Sequence, residues 1–344
     1  MDQELSAEAF YEHGMVARRA SRDGEAFTHF ARALSLIPRH GPSCAELKAM
    51  SAECLAKASV VNDPTARISL LARAIEMDPL NKGARKEQDR LLTERKIGPD
   101  LTKMCFIFYD EQRAREIHGE AYRRAVEFVT IAGIPGDLLE FGVLGGWSAR
   151  LFCEIMRDAF NLNNIHLFDS FDGLPNYDSA VDRESYEIGG RNIWDNKMRF
   201  PPEFLSQFGQ QPHQWHIRDR LAEIIRPERI AVHVGYYSET LKEPLNTKAA
   251  IVHLDCDLYQ STAEVLWGLF DQDALQDGCV LLFDDWNCNK ANPNFGERRA
   301  FREFLEGQTR FSSSSWFTYG YNAAAFLLHD TTLSVKSEEN GDSR

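Results

Sequence analysis

The fold of this chain is decided by one stretch near its middle, DLLEFGVLGGWS at residues 137–148. The apolar run at 137–143 predicts a short strand, and the glycines after it predict a tight turn into a helix at 147–160. Further strands are predicted at 165–168, 230–234, 249–254, 279–283, 316–321 and 323–329, with helices at 261–270 and 298–305. Strands separated by helices form βαβ units with right-handed crossovers. The sequence therefore predicts an α/β fold with a doubly wound, mostly parallel sheet.

Residues 1–98 differ from the rest of the chain, because they are rich in Ala, Glu, Arg and Leu at helical spacing. The segment FARAL at 30–34 precedes Pro38, and LARAI at 71–75 precedes Pro79, with a constant offset of 41 residues. Small Ala side chains allow close helix packing, and each proline ends its helix. The pattern resembles tetratricopeptide repeats, whose usual length is about 34 residues. The alternative is a plain helical bundle in which the similarity of the two segments arises by chance.

Two such units are fewer than the roughly three that a repeat array needs on its own. We therefore expect the N-terminal helices to pack on the second domain or on another chain, as in a homo-oligomer or a complex with a protein partner. A helix is predicted at 103–132, ended by GIPG at 133–136. These patterns predict a helical region at 1–98, an α/β domain at 99–333 and a disordered tail at 334–344. The segment 175–220 lacks a clear period and is expected to be a functional lid or a disordered insert.

Charge and composition exclude several classes of protein. Asp and Glu number 52 against 39 Lys and Arg, so the formal charge is −13. A surface of this charge repels phosphate groups, which argues against a nucleic-acid partner and against a membrane-surface protein. No apolar run approaches the ~18 residues of a membrane span, and the opening MDQE lacks the features of a signal peptide. Seven cysteines without a CxxC pair indicate reduced thiols and a cytoplasmic location.

The glycine-rich turn at Gly142, Gly145 and Gly146 joins a strand to a helix, where glycine lets the backbone approach a ligand closely. Such a turn alone can bind a dinucleotide, S-adenosylmethionine or nothing. The dinucleotide pattern G-x-G-x-x-G is absent, which disfavours a nicotinamide oxidoreductase. Glu140 stands two positions before the first glycine. A carboxylate at this position suits the ammonium group of an amino-acid cofactor better than a pyrophosphate.

Asp169 ends the next predicted strand, in the segment HLFDSFDGLP at 166–175. At that place in a doubly wound sheet a carboxylate can accept hydrogen bonds from both ribose hydroxyls. The alternative is an aspartate that only stabilises a turn.

Four carboxylates follow two later strands: Asp255 and Asp257 after one, and Asp284 and Asp285 after the other. If these strands are parallel neighbours, their ends lie about 4.8 Å apart. Like charges at that distance raise pKa values or require a cation, and an all-oxygen set favours Mg²⁺. His253 and Cys256 allow a zinc interpretation, but strand alternation turns Cys256 away from its neighbours. A solvated acidic rim without a metal is the alternative.

From residue 134 to about residue 305 the sequence resembles the macrocin O-methyltransferase family of class I S-adenosylmethionine-dependent methyltransferases. The resemblance rests on AGIPGD (132–137), EFGV (140–143), LFDSFDGLP (167–175), VGYYSETL (234–241), HLDCDLYQST (253–262), DDW (284–286) and GERRAF (296–301). It implies a Rossmann-like seven-stranded methyltransferase sheet, O-methylation of a small molecule such as a natural-product sugar, and dependence on S-adenosylmethionine and Mg²⁺. The chain departs from the family at Cys256, where Gly is usual, and at Trp286, where Tyr is common, which puts the acceptor in question.

The resemblance also implies roles for individual residues. Cofactor binding is expected at Glu140, Gly142, Gly145, Gly146, Ser148, Asp169 and Ser170. Metal binding is expected at Asp255, Asp284 and Asp285, and proton removal from the acceptor hydroxyl at Asp255 or Asp257. His253 is a second candidate base, although a histidine within a strand is more often a packed structural residue.

Two other functions stay open. An enzyme of the same fold can act on a nitrogen or a catechol acceptor. The chain can also be a non-catalytic scaffold that joins a repeat module to a vestigial methyltransferase fold.

Overall fold

A computed structural model describes residues 6–37, 40–94, 100–105, 110–157, 162–175, 179–189, 200, 202–206 and 212–333. The N-terminal helices are α1 (Ala7–Arg19), α2 (Asp23–Leu36), α3 (Gly41–Val60), α4 (Pro64–Met77) and α5 (Lys82–Glu94). The remaining helices are α6 (Glu111–Ile131), α7 (Trp147–Met156), α8 (Ala180–Gly189), α9 (Pro202–Leu205), α10 (His213–Leu221), α11 (Tyr237–Thr240), α12 (Tyr259–Asp271) and α13 (Gly296–Gly307). The predicted tail at 334–344 and the predicted end of the helix at residue 160 lie outside the described residues.

The strands are β1 (Gly136–Phe141), β2 (Leu162–Asp169), β3 (Ile230–Val234), β4 (Ala249–Leu254), β5 (Val280–Phe283), β6 (Phe311–Tyr319) and β7 (Ala323–Asp330). They form one seven-stranded sheet in the order β3-β2-β1-β4-β5-β7-β6. Strands β1 to β5 pair in parallel, whereas β7 is antiparallel to both β5 and β6. Strands β1 and β4 pair at the centre of the sheet, and β4 and β5 are parallel neighbours, as the convergence of the four carboxylates requires. Three predicted starts were wrong by three residues or more, since α6 begins at Glu111 rather than at 103, β2 at Leu162 rather than at 165 and β6 at Phe311 rather than at 316.

Alternate residues of the central strands face two separate cores. Leu138, Ile251 and Leu282 face a core built with α6, α7 and α10. Leu139 and Leu281 face a second core built with α12 and α13. Every residue of β1, β4 and β5 is buried. Helices cover both faces of the sheet. Because the strands are parallel, the polar groups that follow them meet at its carboxyl edge.

Consecutive N-terminal helices pack against each other. The two similar segments, FARAL and LARAI, occupy equivalent places in this arrangement. FARAL lies in α2 and LARAI lies in α4, each in the second helix of a pair, and most of their residues are buried. Glu76 on α4 ties this region to the sheet, because its carboxylate accepts hydrogen bonds from Arg226 and Arg229, just before β3. The expected packing of these helices on the second domain is therefore present, and their identity as tetratricopeptide repeats stays a prediction.

Candidate active site at the carboxyl edge of the sheet

The glycine turn is shaped by contacts within the chain. Gly142 has φ +94°, and a Cβ there would lie 2.0 Å from the backbone oxygen of Asp255. Gly146 has φ +79°, and a Cβ there would lie 2.6 Å from Ile217 on α10. Glycine is thus required at both positions so that β4 and α10 can approach the turn. The sequence explained these glycines by the approach of a ligand, whereas the structure explains them by the chain's own packing; Gly145 is also buried.

Glu140 lies at the end of β1 and is fully buried. Its Oε1 accepts a hydrogen bond from the Ser148 hydroxyl, whereas its Oε2 is buried with no hydrogen-bond partner. His253 lies beside it on β4, with Nδ1 3.3 Å from Oε1 of Glu140. The other ring nitrogen of His253 lies 3.3 Å from the Tyr122 hydroxyl. His253 is fully buried, so the structure places this candidate base within the packed strand layer.

Asp169 closes the glycine turn from the neighbouring strand. Its Oδ2 accepts hydrogen bonds from the backbone N–H groups of Val143 (2.8 Å) and Leu144 (2.9 Å), and its Oδ1 accepts one from Phe171 (2.6 Å). The Ser170 hydroxyl donates to the carbonyl of Gly173 at 2.6 Å. Both side chains therefore stabilise turns, which is the alternative that the sequence left open. The ribose-binding role of these two residues stays a prediction.

The acidic residues after β4 and β5 converge, but in a different grouping from the predicted one. Carboxylate oxygens of Asp255, Asp257 and Asp285 lie within 4.8 Å of one another. We call these three residues the acidic trio. Asp284, a predicted metal ligand, instead has its Oδ1 3.6 Å from Nδ1 of His118 on α6. Consecutive residues leave a strand on opposite sides, and so Asp285 joins the trio while Asp284 does not.

Like charges are crowded at this edge of the sheet, which is unfavourable in the absence of a cation. Burial, followed by the charges of Asp284 and Asp285, raises the pKa of Asp255 well above its usual range. Burial and the charge of Asp285 raise the pKa of Asp257, and burial raises the pKa of Asp284 to about 6. Asp257 also adopts φ +58°, a left-handed conformation that is strained for a residue with a side chain. Strain and crowded like charges of this kind are typical of functional sites.

Two further residues of the site were missed by the sequence analysis. Glu297, in the first turn of α13, is 1% exposed, and its Oε2 accepts a hydrogen bond from the backbone N–H of Asp285 at 3.0 Å. His118 is 3% exposed, and burial lowers its pKa to about 4, so it is neutral at pH 7. Glu297 lies within the GERRAF motif that was quoted for the resemblance. The motif alone does not show that its side chain contacts the backbone of Asp285, which only the structure reveals.

Several buried polar atoms around this edge have no hydrogen-bond partner in the described part of the chain. They are Glu140 Oε2, Trp147 Nε1, Asp284 Oδ1, Glu297 Oε1 and the Tyr319 hydroxyl. Each such atom costs about 1–3 kcal/mol when it is left unpaired. Buried polar atoms of this kind in a native protein are explained by ordered water, an ion or a ligand that completes their hydrogen bonding.

The donor set of the acidic trio fits a hard divalent cation. All of its donors are oxygens, and among the described residues no lysine or arginine forms an ion pair with the trio, Asp284 or Glu297. Cys256 packs in the apolar core of α12 and α13, with its Sγ 3.8 Å from the carbonyl of Phe141. Cys256 is therefore not placed as a ligand beside the acidic trio, whereas the Cys288 thiol lies 3.0 Å from Oδ1 of Asp285.

The segment predicted as a lid or insert contains helices α8, α9 and α10 in its described part. Asp182 on α8 accepts hydrogen bonds from the backbone N–H groups of Tyr259 (2.8 Å) and Gln260 (3.1 Å). These groups are the first in α12, whose own preceding residue gives no side-chain cap. The insert is thus fastened to the helix that directly follows Asp255 and Asp257, two members of the acidic trio. No described helix is long and apolar enough to cross a membrane.

Comparisons with known proteins identify similar proteins. Residues 48–308 match the Macrocin-O-methyltransferase (TylF) family. The match begins inside α3, well before residue 134, where the resemblance in the sequence begins.

Two curated relatives come from Streptomyces. The chain is 28% identical over 165 residues to the 8-demethyl-8-(2,3-dimethoxy-alpha-L-rhamnosyl)-tetracenomycin-C 4'-O-methyltransferase of Streptomyces olivaceus, covering 47% of this chain and 57% of that protein. It is 26% identical over 238 residues to the demethyldecarbamoylnovobiocin O-methyltransferase of Streptomyces niveus, covering 68% of this chain and 83% of that protein. The solved structure of the O-methyltransferase NovP aligns with a TM-score of 0.47 and 20% identity, covering 80% of this chain and 98% of that chain.

Proposed function

The chain belongs to the macrocin O-methyltransferase family, and we propose on this basis that it is an S-adenosylmethionine-dependent O-methyltransferase acting on a hydroxyl of a small molecule. Two curated relatives methylate oxygen on a rhamnosyl tetracenomycin and on a novobiocin precursor, according to their names. We therefore propose a sugar or another natural-product intermediate as the acceptor.

One observation carries this proposal. Several carboxylates and several unpartnered buried polar atoms occupy the carboxyl edge of the sheet, beside the glycine turn. In open α/β sheets ligands bind outside the carboxyl ends of the strands, at the point where the strand order reverses. That point lies between β1 and β4 here, which are the strands that present Glu140 and Asp255.

The residues at the turn fit the proposed cofactor. The buried, unpartnered Oε2 of Glu140 suits an ammonium donor, and Ser148 holds the other oxygen of the same carboxylate. Asp169, fixed by three backbone N–H groups, and Ser170 would face the ribose. S-adenosylmethionine supplies an electrophilic methyl group when it is bound. The chain then has to align the acceptor oxygen, and alignment of this kind can lower a barrier by about 7–11 kcal/mol.

The acidic trio fits the proposed Mg²⁺ site. Asp255, Asp257 and Asp285 would hold the ion, which lowers the pKa of a bound hydroxyl when present. A carboxylate oxygen of Asp255 is the proposed proton acceptor, because the backbone of Asp255 packs against Gly142 and so places this residue beside the glycine turn. Asp257 is the second candidate. Asp284 contributes charge to the same edge and lies against His118.

The N-terminal helices are proposed to form a tetratricopeptide-like element that serves assembly of the chain or docking of a protein partner. The seven cysteines all lie within the described residues and form no disulfide there, which supports the cytoplasmic location proposed from the sequence.

Methyl transfer from labelled S-adenosylmethionine to a panel of hydroxyl acceptors, with Mg²⁺ or EDTA, tests the proposal. We expect Mg²⁺-dependent turnover that Asp285→Asn lowers by at least about 100-fold, or about 2.7 kcal/mol, because the acidic trio loses one ligand charge. Cofactor affinity, measured by calorimetry, should be retained, and Asp271→Asn at the exposed end of α12 should behave like the wild type.

Full turnover in EDTA would remove the metal from the proposal. Methylation of nitrogen or catechol acceptors alone would favour the enzyme with a different acceptor. Cofactor binding without turnover on any acceptor would favour the non-catalytic scaffold.

A further inference from the structure

Glu297 is a buried carboxylate of this edge that the proposed chemistry does not use. It lies in the first turn of α13, next to Gly296, whose φ of +54° sets the entry into the helix. Its side chain points toward the strands, since its Oε2 accepts the backbone N–H of Asp285 at 3.0 Å. Glu297 thereby holds in place the backbone of one member of the acidic trio.

The second oxygen of Glu297 is the informative atom. Oε1 is buried and has no hydrogen-bond partner among the described residues, in a side chain that is 1% exposed. Burial, followed by the like charges of Asp285, Asp284 and Asp255, raises the pKa of Glu297 well above its usual range. The positive end of α13 offsets only part of this cost, because a helix terminus is worth about 0.3–2 kcal/mol. A buried carboxyl group in this setting keeps its negative charge only where a positive partner compensates for it; otherwise it is protonated.

We propose that Glu297 is a positioning residue of the divalent cation site: it fixes Asp285 through the backbone and adds its negative charge to the field that holds the ion. The inference rests on the metal part of the proposed function. Residues behind the direct ligands often orient them and change metal affinity about 10–100-fold when they are replaced. Glu297 fits that position, because it contacts a trio member without belonging to the trio.

A purely structural role gives a different expectation. If Glu297 only caps the N–H of Asp285, its charge is unimportant and a neutral amide serves equally well. If its charge serves the cation, Glu297→Gln keeps the acceptor for the Asp285 N–H but removes the charge. Without metal that substitution relieves repulsion among the carboxylates, whereas with metal it weakens the site.

The experiment uses Mn²⁺ as the probe, with calorimetry and thermal unfolding of the full chain in EDTA and in Mn²⁺. For Glu297→Gln we expect about 10–100-fold weaker Mn²⁺ binding and a melting temperature in EDTA equal to or above that of the wild type. The rise in melting temperature caused by Mn²⁺ should be smaller than in the wild type, because ligand stabilisation follows affinity. Glu306→Gln, an exposed change on the same helix, is the matched control and should bind Mn²⁺ like the wild type.

The outcomes separate this inference from the function on which it rests. Wild-type Mn²⁺ affinity in Glu297→Gln overturns the role of Glu297 and leaves the metal site intact. A lower melting temperature of the variant in EDTA, or failure to fold, shows a structural role and also overturns the inference. Absence of Mn²⁺ binding to the wild type overturns the metal site together with the inference.

Discussion

Glu76 and the carboxyl edge of the sheet both bury carboxylates, and they differ in what surrounds the charge. Glu76 on α4 is 1% exposed and accepts hydrogen bonds from Arg226 Nε at 2.5 Å and Arg229 Nη1 at 2.8 Å. Arg229 also donates to the carbonyls of Leu162 and Asn163, so its guanidinium is well satisfied. At the carboxyl edge of the sheet, by contrast, the described residues supply no cationic side chain to the acidic trio or to Glu297.

The difference separates structure from function. Moving a charge out of water costs several kcal/mol unless a partner and hydrogen bonds compensate for it. Around Glu76 the chain supplies the partners itself, and the result is a tie between the helical region and the sheet. At the carboxyl edge the described residues supply no such partner, so a ligand has to compensate for the charge. A buried acid without a partner is therefore the better indicator of a functional site in this protein.

The variant with the largest expected effect on stability is Glu76→Ala, which leaves two buried arginines without their carboxylate. We expect a loss of about 3–5 kcal/mol in the free energy of unfolding, because breaking a buried ion pair leaves charge uncompensated. Urea denaturation of the purified chain measures it. Glu228→Ala removes an exposed partner of Arg73 and should cost less than about 1 kcal/mol. Equal effects of the two variants would show that burial does not distinguish these pairs.

A second test concerns Asp137, a buried acid that a histidine compensates. His166 joins it to His233, with Nε2 of His166 3.0 Å from Asp137 and Nδ1 of His166 3.0 Å from His233. Burial, followed by the neighbouring His166, lowers the pKa of His233 to about 4. The folded chain therefore binds fewer protons than the unfolded chain between about pH 6.5 and pH 4, and stability falls as the pH is lowered through that range.

We expect His233 to contribute about 1–2 kcal/mol to this loss, after allowance for its partial exposure to solvent. Urea denaturation at pH 7.5 and pH 4.5 measures the loss. His233→Phe keeps a ring to stack on Phe168, whose centroid lies 4.1 Å away, and removes the titrating group. An acid-induced loss in this variant as large as that of the wild type would assign the effect to other residues.

The smallest expected effect is at Asp182, which is compensated by backbone N–H groups of α12 rather than by a side chain. Asp182→Ala should lower stability by about 1 kcal/mol, the usual cost of losing a helix cap. It should also expose the described part of the insert to proteases before the sheet unfolds. Glu184→Ala, an exposed change on the same helix, is the control. If both variants resist proteolysis like the wild type, Asp182 does not fasten the insert.

The sequence predicted the parts of the fold that local pattern controls. The alternation of apolar strands and helices predicted the α/β sheet, because fully buried strands and amphipathic helices leave different spacings of apolar residues. The motifs from residue 132 to residue 301 predicted the family, and the family match confirms it. The assignment of single residues to cofactor, metal and base stays a prediction.

Tertiary structure decided the details that depend on distances between remote segments. Which carboxylates form the trio depends on the side of its strand on which each aspartate lies. That side places Asp257, rather than Asp284, with Asp255 and Asp285. The contact of Glu297 with Asp285 joins two elements across a turn, and the tie of Glu76 to Arg226 and Arg229 spans about half the chain. Periodicity reports which face of an element is apolar, but the distance between two side chains and the charge around them exist only after the elements have packed.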